Sequence, residues 1–403
     1  MTVQKINVLE YAHNQKPKDL FREIPDTFDP VKQNSIETGY FVFTMMPSLR
    51  CSLNCPHCYL STWERRHSPI MSTEQIELTC KKVDEYYQSK PSIKQKVIVF
   101  YWYGGEPTEM GMPYMLDAFN RIQNIFTEEK GYYIRHEILT SLINVDESWF
   151  DVFKTWGRGH FQTSFDGLMR GKGYVRKWEK KVKAAIDYGL KVSTISVVNN
   201  TFYNDGPREI LDYLSNLGIH EASFLPFMLN EQNKGMKYEK FAPPMNGYSD
   251  FMIELMEHWY KKKENGLHVP EVGQSNYIVS RLENSASANI AGQTMFLYPD
   301  GKFVLPDYKD GYLEFMKSFG NIFENSFEEI LKSKSRRDYI RRQYTRNYNS
   351  ECQSCEHVNS CIMEFWKDNR EGDDCFGASR FVKYIKDTEL SNPVIKNNKT
   401  LMF

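Results

Sequence analysis

Three cysteines stand on one short stretch, Cys51-Ser52-Leu53-Asn54-Cys55-Pro56-His57-Cys58-Tyr59, in the spacing C-x3-C-x2-C. Thiolates are soft ligands that suit zinc or iron–sulfur centres. A structural zinc site takes four ligands and a catalytic one usually three of mixed type. Three cysteines alone suit a four-iron, four-sulfur cluster with one iron left open for a substrate. A second set, Cys352-x2-Cys355-x5-Cys361-x13-Cys375, lies towards the C-terminus. Four cysteines fill either a tetrahedral zinc site or a fully ligated iron–sulfur cluster, and spacing alone does not separate the two. The eighth, Cys80, falls on the apolar face of a helical pattern and reads as a core residue.

The rest of the composition narrows the setting. The chain has 403 residues, 41% hydrophobic and 14% aromatic, enough to build a core and to exclude wholesale disorder. Lys plus Arg number 51 against 52 Asp plus Glu, so no global charge argues for a nucleic-acid partner, and none is expected. The N-terminus is polar for more than thirty residues, without the apolar stretch of a signal peptide. No run approaches the ~20 apolar residues of a membrane span. A cytoplasmic protein is expected, and in that reducing setting paired cysteine clusters point to metal rather than to disulfides. Lys180, Lys181 and Lys183, and the run Arg336, Arg337, Arg341, Arg342 and Arg346, read as solvated helix faces, with a peptide or nucleic-acid groove as the alternative. Histidines other than His57 show no metal-ligand spacing.

These residues need a scaffold, and the periodicity supplies one. Tyr40–Met45 reads as a strand that delivers the first cysteine loop, and Ser72 or Thr73 opens a helix with Ile76, Cys80, Val83 and Tyr87 on one face. Residues 97–103 form a continuous apolar run suited to a strand buried on both faces, and it ends at Gly104-Gly105-Glu106-Pro107. Helices near 112–126, 146–155, 176–188 and 206–217 then alternate with strands at 134–140, 161–165, 190–198 and 221–226. Such alternation argues for βαβ units around a parallel sheet, either doubly wound or a partial barrel. The rhythm breaks after residue 230. A helix over 247–264, a hairpin turned at Asp300-Gly301 and a helix opened by the capping pair Ser326 and Glu329 follow.

The cysteine loop resembles the signature of the radical S-adenosylmethionine (radical SAM) superfamily, with His57 in its aromatic position. Gly104-Gly105-Glu106-Pro107 is similar to that family's GGEP motif, whose backbone and glutamate hold the methionine ammonium of SAM. The chemistry agrees, since glycine admits a close approach and a carboxylate accepts charge-assisted hydrogen bonds. Thr140-Ser141 ends a strand where the family often has Thr-Asn-Gly, and Ser164-Phe165-Asp166-Gly167 resembles its Ser-x-Asp-Gly. Both lie at C-terminal strand ends, where such sheets and barrels place ligands. The resemblance implies an α/β fold built on a partial (β/α)6 TIM-type barrel, and a [4Fe-4S] cluster on Cys51, Cys55 and Cys58 whose open site takes SAM. It implies SAM contacts from His57, Tyr59, Gly104, Gly105, Glu106, Thr140, Ser141, Ser164 and Asp166, with Arg170 a candidate for the SAM carboxylate. The implied activity is reductive cleavage of SAM to a 5′-deoxyadenosyl radical that abstracts hydrogen from an unactivated carbon. No catalytic acid or base is assigned.

The C-terminal region is similar to the SPASM domain, an α+β extension that carries up to two auxiliary iron–sulfur clusters in a subset of this superfamily. The departures fall together. Asp307 stands near the family's cysteine after the hairpin, residues 288–292 hold no cysteine, and Phe365 replaces a further one. These are ligands of the first auxiliary cluster, so the resemblance implies one auxiliary [4Fe-4S] cluster on Cys352, Cys355, Cys361 and Cys375. Asp307 reads as a turn aspartate, with a proton acceptor as the alternative. The expected domains are an N-terminal arm at 1–38, the barrel at 39–235, a helical connector at 236–285, the auxiliary cluster domain at 286–376 and a C-terminal tail at 377–403. The resemblance further implies a ribosomally made peptide as substrate, crosslinked or oxidised, with a small-molecule dehydrogenase, cyclase or rearranging enzyme as the alternative and a non-catalytic metal-cluster scaffold as the remote one. A flavodoxin- or ferredoxin-type electron donor is implied. The 38 residues before the barrel are too few for a leader-binding domain of ~80–90 residues, so leader recognition is expected to need a separate leader-binding protein or another surface.

Overall fold

The computed structural model describes residues 35–284, 290–309, 312–345, 355–357, 361, 373–375 and 377–391. The expected N-terminal arm lies, up to residue 34, outside them. A short helix, α1 (Ser35–Thr38), leads into β1 (Tyr40–Met45), where Phe41, Phe43 and Met45 are fully buried at the period-two spacing of a strand. Helices α2 (Thr62–His67) and α3 (Thr73–Gln88) lead to β2 (Lys96–Trp102), and α4 (Met112–Ile125) leads to β3 (Tyr132–Thr140). Then α5 (Trp149–Thr155) precedes β4 (His160–Ser164), and α6 (Lys172–Asp187) precedes β5 (Lys191–Val198). Two helices, α7 (Asn200–Asp205) and α8 (Pro207–Leu217), precede β6 (Glu221–Pro226). The six strands pair in sequence order and all in parallel. Met45 is level with Trp102 and Trp102 with Ile138, so the loops after β1, β2 and β3 emerge at one end. The Ser72 start of α3 is a full capping box with Gln75, and Cys80 is buried on its inner face.

The sheet does not stop at β6. After it come β7 (Leu229–Asn230), α9 (Met236–Phe241), α10 (Gly247–Glu264), β8 (Glu271–Val272) and α11 (Gly273–Asn284). Next are α12 (Ile290–Gln293), β9 (Thr294–Leu297), β10 (Lys302–Lys309), β11 (Tyr312–Asn321), α13 (Phe327–Leu331), α14 (Lys334–Thr345) and α15 (Ser379–Ser391). The hairpin at Asp300-Gly301 forms between β9 and β10, with Gly301 at φ 84. β9 also pairs with β1 in parallel, so the eleven strands make one sheet in the order β7-β11-β10-β9-β1-β2-β3-β4-β5-β6-β8. Only Phe227 and Met228 separate β6, near one edge, from β7 at the other. The sheet therefore curls until its two edges nearly meet, and the C-terminal hairpin spans the gap.

Three packing features depart from the sequence reading. Arg336 and Arg341 are buried rather than solvated, and the side chains of Arg342 and Arg346 lie outside the described residues. Arg336 is 0% exposed; its guanidinium pairs with Glu37 at 2.6 Å and donates to the carbonyls of Ala291 and Leu331. It ties α14 to α1 and α12, so its charge is spent on three chain segments that a helical wheel does not see. Likewise the segment expected as a tail contains α15, whose Phe381, Val382 and Ile385 are fully buried, with α15 packed on α10 and α11. Asp307 sits inside β10 opposite Phe315 and is buried, not at a turn.

Two stability outcomes are expected. Arg336→Met removes a buried ion pair to Glu37 and the hydrogen bonds to two carbonyls and should cost about 3–5 kcal/mol in chemical denaturation. His136 is buried between the rings of Phe100, Phe119 and Trp156, and its Nδ1 accepts from Trp102 Nε1 at 3.0 Å. Burial pushes its pKa down to about 3. Below pH 6.5 the unfolded chain takes up a proton that the native state refuses, so stability falls as pH drops from 6.5 towards 3. His136→Gln should flatten the melting-temperature profile between pH 7 and 5, removing a slope of up to about 1.4 kcal/mol per pH unit.

Candidate active site

The first cysteine loop is held backbone to backbone. Glu106 N–H donates to the Arg50 carbonyl at 2.8 Å and Gly105 N–H to that of Ser48 at 3.3 Å. A Cβ on Gly105 would fall on the carbonyls of Arg50 and Leu49, and one on Gly104, at φ 123, would sit 2.5 Å from the Ser48 carbonyl. The close approach that these glycines permit is thus first an approach of the cysteine loop itself. Further ties fix the loop from outside. Cys51 N–H donates to the Arg65 carbonyl at 3.0 Å, Ser52 N–H to Glu109 at 2.5 Å, and Arg65 Nη1 to the Leu53 carbonyl at 2.5 Å. Asn230 Nδ2, in β7, donates to the His57 carbonyl at 3.1 Å.

The three thiols lie within electrostatic reach, Cys51 of Cys55 and Cys55 of Cys58. Burial pushes Cys51 up to about 12 and Cys55 up to about 11, and it raises Cys58 as well. No three Cys, His, Asp or Glu side chains among the described residues already converge as a ligand set. The donor chemistry nevertheless fits a thiolate-held cluster: three sulfurs on one rigid loop, with Arg65 and Arg170 both favouring the deprotonated form.

Glu106 is 4% exposed and already well served. Its Oε1 accepts from Thr108 N and Oγ1 at 3.2 and 2.6 Å and from Thr140 Oγ1 at 2.7 Å. Its Oε2 accepts from Ser141 N at 2.7 Å and Ser141 Oγ at 2.5 Å. The motif glutamate, Thr140 and Ser141, each expected to contact SAM, here face one another. A carboxylate has about four lone-pair positions, so a further cation requires one hydroxyl to turn away.

The second charged centre lies under His57. Asp166 is 1% exposed, and its Oδ2 accepts from Arg170 Nε at 2.6 Å and Nη2 at 2.5 Å while its Oδ1 accepts from Val197 N–H at 2.7 Å. Burial opposes the charge on Asp166, but Arg170, His57 and that N–H outweigh it and hold the carboxyl below its usual range. Arg170, a candidate for the SAM carboxylate in the sequence, is paired here with Asp166 of its own chain. His57 Nε2 stands 3.8 Å from Asp166, and burial lowers the ring's pKa, so the neutral form is favoured. Its Nδ1 is buried with no hydrogen-bond partner among the described residues, a polar atom fit to meet a bound group. Three contributors escaped the sequence reading. Tyr174 OH bridges the carbonyls of Ser141 and Ser164 at 3.0 and 2.9 Å, and Asn199 caps α7 while donating to the Asp166 carbonyl. Asn230 is the third. The Asn199-Asn200 pair at a strand end was a cap signal, whereas Tyr174 and Asn230 carried none. Tyr59 packs with Tyr103 against Met46, Leu49 and Leu60.

At the second cysteine set, Cys352 lies outside the described residues. Cys355, Cys361 and Cys375 are half-buried, with Cys355 accepting from His357 N–H at 3.4 Å and lying within electrostatic reach of Cys375. The preceding residues anchor this segment on the start of α10: Asp373 accepts from Asn246 N–H at 2.6 Å, and Asp374 accepts from Ser249 Oγ.

Residues 45–214 match the radical SAM superfamily, and residues 289–356 match SPASM, an iron-sulfur cluster-binding domain. The chain is a radical SAM enzyme with a SPASM domain. A cysteine-type anaerobic sulfatase-maturating enzyme of Clostridium novyi (strain NT) is 21% identical over 341 residues, covering 78% of this chain and 84% of the relative. Among solved structures, native anSMEcpe with bound AdoMet and Cp18Cys peptide superposes with a TM-score of 0.68 at 17% identity, over 89% of this chain and 99% of that one. Streptococcus suis SuiB bound to S-adenosylmethionine gives 0.57 at 16% identity, over 82% and 74%. The partial barrel of the radical SAM fold is therefore the fold of this chain, and [4Fe-4S] clusters and SAM are its cofactors. Cys361 and Cys375 fall beyond the matched SPASM range. No helix among the described residues is long and apolar enough to cross a membrane.

The seam can be broken without touching a cysteine. Gly105→Ala should reduce iron after anaerobic reconstitution to roughly half, since one of two clusters loses its loop. Gly173→Ala, where a Cβ meets nothing within 4 Å, should keep full iron.

Proposed function

We propose that this radical SAM enzyme modifies a ribosomally made peptide, forming a crosslink or oxidising a side chain. The observation that carries the reading is that this chain matches, across barrel and SPASM extension together, anSMEcpe with its Cp18Cys peptide and SuiB bound to its precursor peptide SuiA. Cys51, Cys55 and Cys58 would hold the cluster that binds SAM, and Cys352, Cys355, Cys361 and Cys375 one auxiliary cluster. The bound cluster and SAM supply one-electron cleavage of a sulfonium and hydrogen abstraction from an unactivated carbon. The chain's own residues position and exclude. Glu106 fixes Thr140 and Ser141 at the end of β3, and Tyr174 locks that loop to the end of β4. The Asp166–Arg170 pair gives the floor beneath His57 a fixed, internally neutral charge. Between α7 and α9 a cleft of about 500 Å³, walled by Asn200, Tyr203, Tyr238 and Pro243, offers room for substrate at the same end. Reduction is assigned to a flavodoxin- or ferredoxin-type donor, and a separate leader-binding protein is part of the same proposal.

The test is SAM cleavage under anaerobic reduction, with native cell extract divided by a membrane that retains peptides. Stimulation of 5′-deoxyadenosine release by the retained fraction, abolished by protease and by Cys58→Ala, is expected. Stimulation by the filtrate alone would overturn the peptide reading. Iron analysis should give about eight irons per chain from two four-iron clusters. Four irons with one zinc would refute the auxiliary cluster.

A further inference from the structure

Several helices in this protein pair opposite charges along an exposed face. Glu77 pairs with Lys81, Asp117 with Arg121, Glu328 with Lys332, Lys334 with Asp338 and Lys383 with Asp387, all at four-residue spacing. The helix α6 breaks this rule. Lys172, Arg176 and Lys180 follow one another at the same spacing, Lys177 stands beside them, and all four are exposed. None has an acidic partner among the described residues, while Glu179 of the same helix is taken by Lys183. Like charges at this spacing destabilise a helix by about 0.2–0.5 kcal/mol per pair. The nearby Lys181 is turned inwards, donating to the carbonyls of Leu142 and Ile143, and adds nothing to the stripe.

The stripe starts two residues after Arg170, which pairs with Asp166 beneath the cysteine loop, and runs away from that end down the outside of the barrel. Its spacing selects an occupant. Cations four residues apart on a helix repeat every ~6 Å. Alternate side chains of an extended strand repeat every ~6.6 Å on one side. We propose that α6 docks an extended acidic peptide segment with Asp or Glu at alternate positions, the part of the substrate that flanks the residue placed in the barrel mouth. This rests on the peptide reading above and names a feature of that peptide. The chain carries a net charge of only −1, so attraction of an acidic segment comes from this local stripe and not from the protein as a whole.

The test is fluorescence anisotropy on the reconstituted enzyme with a fluorescein-labelled decapeptide of alternating Glu and Thr. Binding weakened at least tenfold by the triple substitution Lys172→Gln, Arg176→Gln, Lys180→Gln, with a shallower salt dependence, is expected. The alternating Lys-Thr decapeptide should not bind. Equal affinity of the triple variant would overturn the proposal. So would a labelled ten-nucleotide single-stranded DNA that binds more tightly than the peptide, because the stripe would then be a nucleic-acid surface. Unchanged melting temperature and iron content would show that the variant is folded. Anisotropy needs no turnover, so its failure is separate from failure of the peptide reading, which the divided-extract assay reports alone.

Discussion

The arrangement depends on a seam in which two backbones touch. Residues 48–50 and 104–106 approach so closely that no side-chain carbon fits between them at Gly105. The contact is possible because β1 and β2 are parallel neighbours in register, ending level at Met45 and Trp102. Both loops leave the sheet at the same height, and the second supports the first. Everything beyond follows the same direction across the sheet. Glu106 carries the seam to β3 through Thr140 and Ser141, Tyr174 carries it to β4, and Asp166 carries it to β5 through Val197. Four strand ends are thus locked by side chains that are themselves fully bonded, which is how a site keeps its geometry without help from a ligand.

This chain of contacts explains which parts were legible in the sequence. Strands, helices and the cysteine loop follow from local pattern, because alternation and capping are written in neighbouring residues: Ser72 with Gln75, and Ser326 with Glu329. Glu106 and Asp166 each have one local partner, Thr108 and Arg170, but their other donors are distant in sequence. The reading assigned both carboxylates to a ligand, and both are occupied by protein donors 34 or 35 residues away in one case and 31 in the other. Residue type marks these groups as able to meet a ligand, but it does not show which protein donors they meet. The same limit hid Arg336, whose charge pattern is that of a surface helix and whose partner Glu37 is 299 residues distant. Helix α15 was missed for a different reason. Its apolar face is short and lies beyond the last cysteine, so composition suggested a tail, and only the surfaces of α10 and α11 give it a place.

The curl of the sheet gives the C-terminal extension a mechanical role that domain labels hide. A radical SAM barrel left open at its side exposes a strand edge on β1; here β9 covers that edge, and β10 and β11 carry the sheet round towards β6. The closure is completed by Asn230. Its backbone lies in β7, level with Leu313 of β11, while its side chain donates to the His57 carbonyl inside the cysteine loop. One buried residue therefore belongs at once to the barrel's exit, to the SPASM hairpin and to the loop that presents the three thiols. A shift of the hairpin relative to β6 has to move Asn230, and moving Asn230 breaks its hydrogen bond to the carbonyl of His57, which lies between Cys55 and Cys58 in sequence. The position of the cysteine loop is set from both sides, by the glycine seam on one and by the auxiliary domain on the other.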